Sequence, residues 1–355
     1  MKVLMIGVDK TSVGGMLTVI NNYLNDKEFC KATNLRYIST VIRGSKLTKI
    51  NTFIKKIPLI RKTIKKDNID IVHVHMAERG SVFREGYVVH MAKKLGCKTV
   101  IHMHGATIEK WYNSQNVIVQ TIVKRIFNSA DCMIVLGDNW KPFMLSVMGK
   151  ENADKIKVLH NAVKVPNRDM YNINAKNILF YGMLIQRKGI DDLLAAFKQS
   201  IPEIPNDVNL ILYGDDHDSP ESIQDKIKRF KLNDRVKYLG WMTDQNKKKV
   251  FSNTMINVLP SYNEGLPMTI LESMSYGIPN ISTKIAAIPE VIKNGNNGYL
   301  INPGDVDALS QKLIKLINDK ELRKIVSQNA YNVAKKDYSL QSHFDRLMKI
   351  YKSLN

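Results

Sequence analysis

Short apolar, β-branched runs recur along the whole chain, separated by stretches in which apolar residues return every three or four positions. The runs predict strands at 2–8 (KVLMIGV), 70–76 (DIVHVHM), 99–105 (TVIHMHG), 132–137 (CMIVLG) and 155–163 (KIKVLHNAV). A second set follows at 177–183 (NILFYGM), 209–215 (NLILYGD), 235–241 (RVKYLGW), 255–261 (MINVLPS) and 280–284 (NISTK). Apolar runs with helical patterns between them mark strands buried on both faces of parallel sheets, joined by right-handed crossovers. Residues 164–176, KVPNRDMYNINAK, are poor in apolar side chains and hold a Pro, which puts an inter-domain linker there. The expected class is α/β: two doubly wound Rossmann-like domains in tandem, 1–165 and 170–336, with the helix over about 337–355 packing back on the first. In such sheets ligands bind at the carboxyl ends of the strands, so the two domains are expected to face an interdomain cleft.

At 355 residues, with 44% hydrophobic and 24% charged side chains, the chain has material for two cores and is unlike a disordered protein. Cys30, Cys97 and Cys132 are odd in number and scattered, so neither a disulfide framework nor a CxxC metal pair is expected, which fits a reducing cytosol. The opening MKVLMIGVDK meets Asp9 too soon for a signal peptide or membrane span. Charge changes the picture more. There are 53 Lys and Arg against 33 Asp and Glu, a net +20, and residues 1–165 hold +15 of it. A positive field concentrated in one half implies an anionic partner there: nucleic acid, a membrane surface or a phosphorylated substrate.

Chemistry concentrates at EGLPMTILE, residues 264–272. The pattern reads strand, loop, helix, with a stop at Gly277 and Pro279. Pro267 suits a first helical position, and Gly265 lets the backbone approach a ligand, where free N–H groups favour an anion or a polar oxygen. Glu264 then stands at a strand end, with Glu272 about one and a half turns into the helix.

With its E-x7-E spacing, this segment resembles the retaining GT-B glycosyltransferases of family 4, a resemblance that runs from the N-terminal Gly-Gly loop to the last helix. It implies that Glu264 contacts hydroxyls of a donor sugar, with the backbone of Gly265, Leu266 and Pro267 beside it. Glu272 would hold the ribose of a nucleotide. The family's G-R-L-x-x-x-K-G turn is matched by Gly182, Leu184, Lys188 and Gly189, with Met183 where the family has Arg. The resemblance makes Lys188 a diphosphate ligand, with Arg187 a partial stand-in for the absent guanidinium. Gly14 and Gly15 match the family's phosphate-facing loop, and Gly240 and Trp241 match the loop that reads the base. His104, in HMHG, matches the histidine beside the donor sugar. LYGDD, 212–216, resembles a glycine-rich turn in which Asp216 replaces the second glycine and is not a metal pair.

The histidines form a pattern of their own, HVH at 73–75 and HMH at 102–104, in which alternation puts both members of a pair on one face of a strand. Four imidazoles fit a metal site by type, but no carboxylate or thiolate of suitable spacing accompanies them, so no metal and no cofactor is expected. His75 is read as a cleft wall, His73 and His102 as core. Residues 43–66 carry nine Lys and Arg and no acid, including Lys55, Lys56, Arg61 and Lys62, opposite an apolar stripe at near-helical spacing. The segment suits either a helix packed on the first sheet or one docked on anionic lipid, with a break expected at Pro58. Trp111 and Tyr112 suit a sugar, an interface or the core.

The reading is a retaining hexosyltransferase, moving a sugar from a UDP- or GDP-sugar to a lipid-linked or membrane-proximal glycan in capsule or exopolysaccharide synthesis. It is expected in the cytoplasm, peripheral at the inner face of the cell membrane, with domain closure excluding water. The alternatives are a catalytically weak homologue acting as a nucleotide-sugar-binding subunit, for which Met183 speaks, and a transferase with a soluble acceptor. A nucleic-acid partner rests on the +20 alone and is not expected, since no recognised module accompanies it.

Overall fold

A computed structural model describes every residue except Thr11, Val13, His217, Asp218 and Asn355, with Asp244 described by its backbone only. The chain divides into two units: Met1–Asn161 with Gln341–Asn355, and Ala162–Leu340.

The first unit begins with β1 (Val3–Val8), α1 (Gly15–Asn25), α2 (Lys27–Ala32), β2 (Arg36–Val41) and α3 (Lys46–Asp67). It continues with β3 (Ile71–Met76), α4 (Gly80–Lys94), β4 (Lys98–Met103), α5 (Ile108–Asn113) and α6 (Val117–Ser129). β5 (Cys132–Val135), α7 (Lys141–Met148) and β6 (Ile156–Val158) complete its sheet, whose order is β2-β1-β3-β4-β5-β6, parallel throughout. β1, β3 and β4 are buried along almost their whole length, as apolar runs without alternation require.

The second unit holds β7 (Asn177–Tyr181), α8 (Ile190–Ser200), β8 (Asn209–Tyr213), α9 (Ile223–Arg229), β9 (Val236–Tyr238) and α10 (Asp244–Ser252). Then come β10 (Thr254–Leu259), α11 (Met268–Ser275), β11 (Asn280–Thr283), α12 (Ile288–Val291) and β12 (Tyr299–Ile301). α13 (Val306–Asn318) and α14 (Lys320–Asp337) follow, and α15 (Leu340–Lys352) returns the chain to the first unit. The sheet order is β12-β11-β10-β7-β8-β9, again parallel. Chain order reverses between β7 and β10, and between β1 and β3 in the first sheet. Those switch points are where a doubly wound sheet opens a crevice at its carboxyl edge.

Each sheet has one strand more than the apolar runs predict. β2 (RYISTV) is an edge strand that tolerates Arg, Ser and Thr, and β12 is a three-residue strand at the edge of the second sheet. The break expected at Pro58 does not occur, and α3 is continuous. Pro58 is exposed, so the carbonyl of Ile54 that loses its N–H partner faces water instead of a dry core. Pro267 lies one residue before the helix, in extended conformation at the N-cap of α11.

Candidate functional site

In the second unit the switch point brings together two loops that are far apart in sequence. After β7 the chain makes a single 3-10 turn, Gln186–Lys188, and enters α8 through Gly189. Gly189 has φ +72, and a Cβ there would lie 2.1 Å from the Pro260 carbonyl oxygen, so only glycine lets the β10 loop come this close. The Tyr262 N–H donates to the Arg187 carbonyl at 2.9 Å, and Arg187 Nη1 donates to the Asn263 carbonyl at 2.7 Å. These bonds place Lys188 against Glu264. Lys188 Nζ stands 2.5 Å from Glu264 Oε1, which also accepts from Ser261 Oγ at 2.7 Å. Glu264 is only 7% exposed, and that ammonium is its charged partner.

Glu272, half-buried on α11, is held the same way. Its Oε1 lies 3.1 Å from Lys247 Nζ of α10, and its Oε2 accepts from the Tyr181 hydroxyl at 3.1 Å, at the end of β7. Both acids of the E-x7-E segment are thus paired with a lysine. Lys188 was accessible from the sequence. Lys247 sits inside the run NKKKV, 25 residues from its partner, and carries no motif that singles it out.

Around this pair of pairs the strand ends are stripped of side chains. Gly182 donates to the Tyr213 carbonyl at 3.0 Å and Gly214 to the Gly240 carbonyl at 2.7 Å, while a Cβ on Gly214 would strike the Gly182 carbonyl at 1.8 Å. Gly240, at φ +69, has no atom within 4 Å of its missing Cβ, and Trp241 beside it is 45% exposed. Gly182 and Gly240 therefore leave open space beside the backbone at the carboxyl ends of β7 and β9. Met183 is half-buried in this edge, and Arg187 is exposed with its guanidinium turned to the Asn263 carbonyl. Gly265, Leu266 and Pro267 are buried; the Gly265 carbonyl accepts from the Ala287 N–H. Asp216 is spent on structure, accepting from the Ile223 N–H at 2.8 Å at the start of α9. A hollow of about 370 Å³ beside α8 is lined by Asp191, Glu221, Lys226 and Arg229, which neutralise one another, and by none of Glu264, Glu272 or Lys188.

In the first unit Gly14 is the N-cap of α1, with φ +113, and Gly15 opens the helix; both are exposed. Thr11 and Val13 of this loop lie outside the described residues. His104 follows β4 and is half-buried, with Nε2 2.8 Å from His75 Nδ1. His75 is buried, 1% exposed, and is not part of a surface wall: its ring stacks on His73 at 4.8 Å. His73, His75 and His102 offer ring nitrogens within 4.8 Å of one another. His73 already engages Tyr351 Oη at 2.5 Å and His102 Nδ1 at 3.3 Å, which leaves the Nε2 atoms of His75 and His102 without partners. Two such nitrogens fall short of a tetrahedral ligand set.

Sequence reasoning passed over Glu85 of α4. It is 1% exposed, bonded to Thr40 and Arg84, and burial pushes its carboxyl up to about 7 against the pull of that guanidinium. Nothing in its sequence context distinguishes it from a solvated helix acid. On α3, Lys55, Arg61 and Lys62 are exposed and Lys56 is half-buried. Tyr112 packs edge-on to Phe143 in the core, and Trp111, half-buried, meets Phe83.

Residues 167–333 match the family model "Glycosyl transferases group 1", and residues 25–165 match "Glycosyltransferase Family 4". The chain is similar to an uncharacterized 41.2 kDa protein in the cps region of Klebsiella pneumoniae, 24% identical over 98% of this chain and 99% of the relative. It is also similar to the UDP-Gal:alpha-D-GlcNAc-diphosphoundecaprenol alpha-1,3-galactosyltransferase of Escherichia coli, 25% identical over 94% of this chain and 86% of that enzyme. Among solved structures, Anabaena HepE in complex with UDP superposes with a TM-score of 0.74 at 18% identity, covering 99% of this chain and 100% of that one. Sucrose-phosphate synthase of Thermosynechococcus elongatus does so at 0.80 and 16% identity, covering 100% and 99%. The two six-stranded parallel sheets and the two matched regions together make this chain a glycosyltransferase of the GT-B fold, a family-4-type domain followed by a group 1 domain.

Proposed function

We propose that the chain is a retaining hexosyltransferase that takes its sugar from a nucleoside diphosphate donor, UDP- before GDP-linked, and passes it to a glycan of a cell-surface polysaccharide. The observation that carries this reading is the pair of lysine–glutamate contacts, Lys188–Glu264 and Lys247–Glu272, on the carboxyl edge of one sheet. A diphosphate supplies what the lysines hold, and sugar hydroxyls supply what the carboxylates accept. Donor binding exchanges partners: each ammonium turns from carboxylate to phosphate oxygen, and each carboxylate takes a pair of hydroxyls, Glu264 on the hexose and Glu272 on the ribose. Lys247 then fills part of the place left by Met183, as a point charge in place of a guanidinium fork.

In the reaction the bond from the anomeric carbon to the diphosphate oxygen breaks, and its electron pair leaves with the nucleoside diphosphate. The acceptor hydroxyl bonds to the same face, and its proton goes to the departing phosphate oxygen. The charge that develops sits on the diphosphate, where Lys188 and Lys247 stabilise it. No metal carries a step in this reading. The acceptor class draws support from the similarity to an enzyme named for a diphosphoundecaprenol-linked acceptor and to a protein of a cps region.

Binding to the folded state alone raises apparent stability, by about 2.7 kcal/mol at a hundred times Kd. UDP and UDP-hexoses are therefore expected to raise the Tm of the second unit by roughly 5–10 °C, with a smaller rise for GDP-sugars and none for ADP-sugars. A panel without any shift counts against the donor reading.

Lys247→Met separates donor capture from a bystander role. It removes one phosphate ligand and leaves Glu272 with Tyr181, so the KM for donor is expected to rise roughly tenfold while kcat falls less than threefold. Kinetics identical to the unsubstituted enzyme would return Lys247 to a purely structural part.

A further inference from the structure

We infer that the first unit docks on an anionic lipid bilayer through one face, built by the first turns of α3, α4 and α6. This goes beyond the donor reading and does not depend on it, because every residue involved lies in residues 43–126.

Topology puts these turns together. α3 leads from β2 to β3, α4 from β3 to β4, and α6 from β4 to β5, all stepping the same way across the sheet. Right-handed crossovers then lay the three helices side by side on one face, with their N-termini at the carboxyl edge of the strands. Contacts confirm the adjacency: Phe53 of α3 meets Tyr87 of α4 edge-on at 6.0 Å, and Ile126 of α6 lies where a Cβ on Gly86 would be, at 2.8 Å.

The outward side chains of those turns are apolar. α3 buries Ile60 and Ile64 in its second half, but in its first half Leu47 is 73% exposed, Ile50 54% and Ile54 56%. These three lie one turn apart on a single edge of the helix. α4 presents Phe83 and Tyr87, and α6 begins with Val117 and Ile118, 76% and 73% exposed, followed a turn later by Ile122. Among the described residues, eight of the thirteen exposed large hydrophobic ones thus belong to this one face. Scattered exposed leucines need no explanation, but a clustered set does.

Charge decides the occupant. Arg43, Lys46, Lys49 and Lys55 flank the α3 stripe, Lys124 and Arg125 follow that of α6, and residues 43–66 contain no acid; the exposed acids between residues 43 and 126 are Asp70, before β3, and Glu109 of α5. Apolar side chains ringed by cations match a bilayer surface, where the former enter the acyl boundary and the latter meet headgroup phosphates. Nucleic acid would use the cations and leave the isoleucines in water. No helix among the described residues is long and apolar enough to cross a membrane, so the contact is one of lying on the surface.

The test is co-sedimentation of the full chain with vesicles of phosphatidylcholine alone or with a third phosphatidylglycerol. Binding is expected on the anionic vesicles only, weakening with salt. Ile50→Ser/Ile54→Ser/Ile118→Ser is expected to lower it by at least about tenfold with Tm unchanged, since the three side chains are already exposed. Lys46→Glu/Lys49→Glu/Lys55→Glu is expected to lose it, whereas the same charge change at Lys198, Lys228 and Lys324 in the second unit retains it. Equal binding to neutral vesicles, undiminished binding by the isoleucine variant, or a dimer in sedimentation that this variant dissolves would each overturn the inference. Calorimetry with UDP-sugar in vesicle-free buffer reads the donor site separately, so failure of one reading is distinguishable from failure of the other.

Discussion

Lys188→Met is expected to lower kcat/KM for the donor by roughly 10²- to 10³-fold, the scale on which one preorganised charge stabilises a developing anion. The same change removes the ammonium from Glu264, which is 7% exposed and keeps only Ser261 as a donor. A buried carboxylate stripped of its partner costs about 3–5 kcal/mol, so the single variant is also expected to melt early. Lys188→Met/Glu264→Gln separates the two effects. It leaves no unpaired buried charge, so Tm should return to near that of the unsubstituted protein while transfer stays lost. Ordinary turnover in the double variant would show that the pair serves the loop and not the donor. Lys188→Arg should fall between, because a planar fork does not fit a point-charge site.

That experiment turns on a contact only half legible in the sequence. Glu264, Glu272 and Lys188 stand in segments dense enough in Gly, Pro and acid to be noticed, and the alternation of apolar runs with helical stretches revealed two parallel sheets. Those signals are local or periodic. The missing signals are relational. Lys247 lies in a lysine run on α10 and becomes notable only because the fold brings it within 3.1 Å of Glu272 on α11. Glu85 reads as a solvated helix acid until β2 is placed beside β1, and β2 itself was hidden by its polar composition. The α3 stripe was visible as amphipathic, but only the packing of α4 and α6 shows that its first half stays uncovered while Ile60 and Ile64 are buried. His75, read as a wall, sits inside a stack because β3 and β4 run in register, His75 opposite His102.

That stack sets the second large expected effect, acid unfolding that begins in the first unit. Burial holds His73 and His104 down to about 3 and His343 to about 4, and keeps His75 and His102 well below the usual histidine range. His343 comes from α15 and bonds to Tyr23, so the helix that returns from the second unit is tied into the same cluster. An unfolded chain protonates these rings near pH 6.5, whereas the folded one keeps them neutral well below that. Stability is therefore complete above pH 6.5 and falls as pH drops through that window, by about 1.4 kcal/mol per pH unit for each ring. Five rings give a slope of roughly 7 kcal/mol per unit, enough to consume the 5–15 kcal/mol of a typical fold before pH ~4.5. In the second unit the sequence has His217 alone. Urea melts from pH 7.5 down to 4.5, followed through Trp111 and Trp140 in the first unit and Trp241 in the second, should show the first transition collapsing while the second moves little. His102→Met, which removes one buried ring and its orphaned nitrogen at similar volume, is expected to flatten the slope by about one proton. A slope unchanged by that substitution, or a second unit that unfolds first, would place the acid sensitivity elsewhere than in the stacked imidazoles.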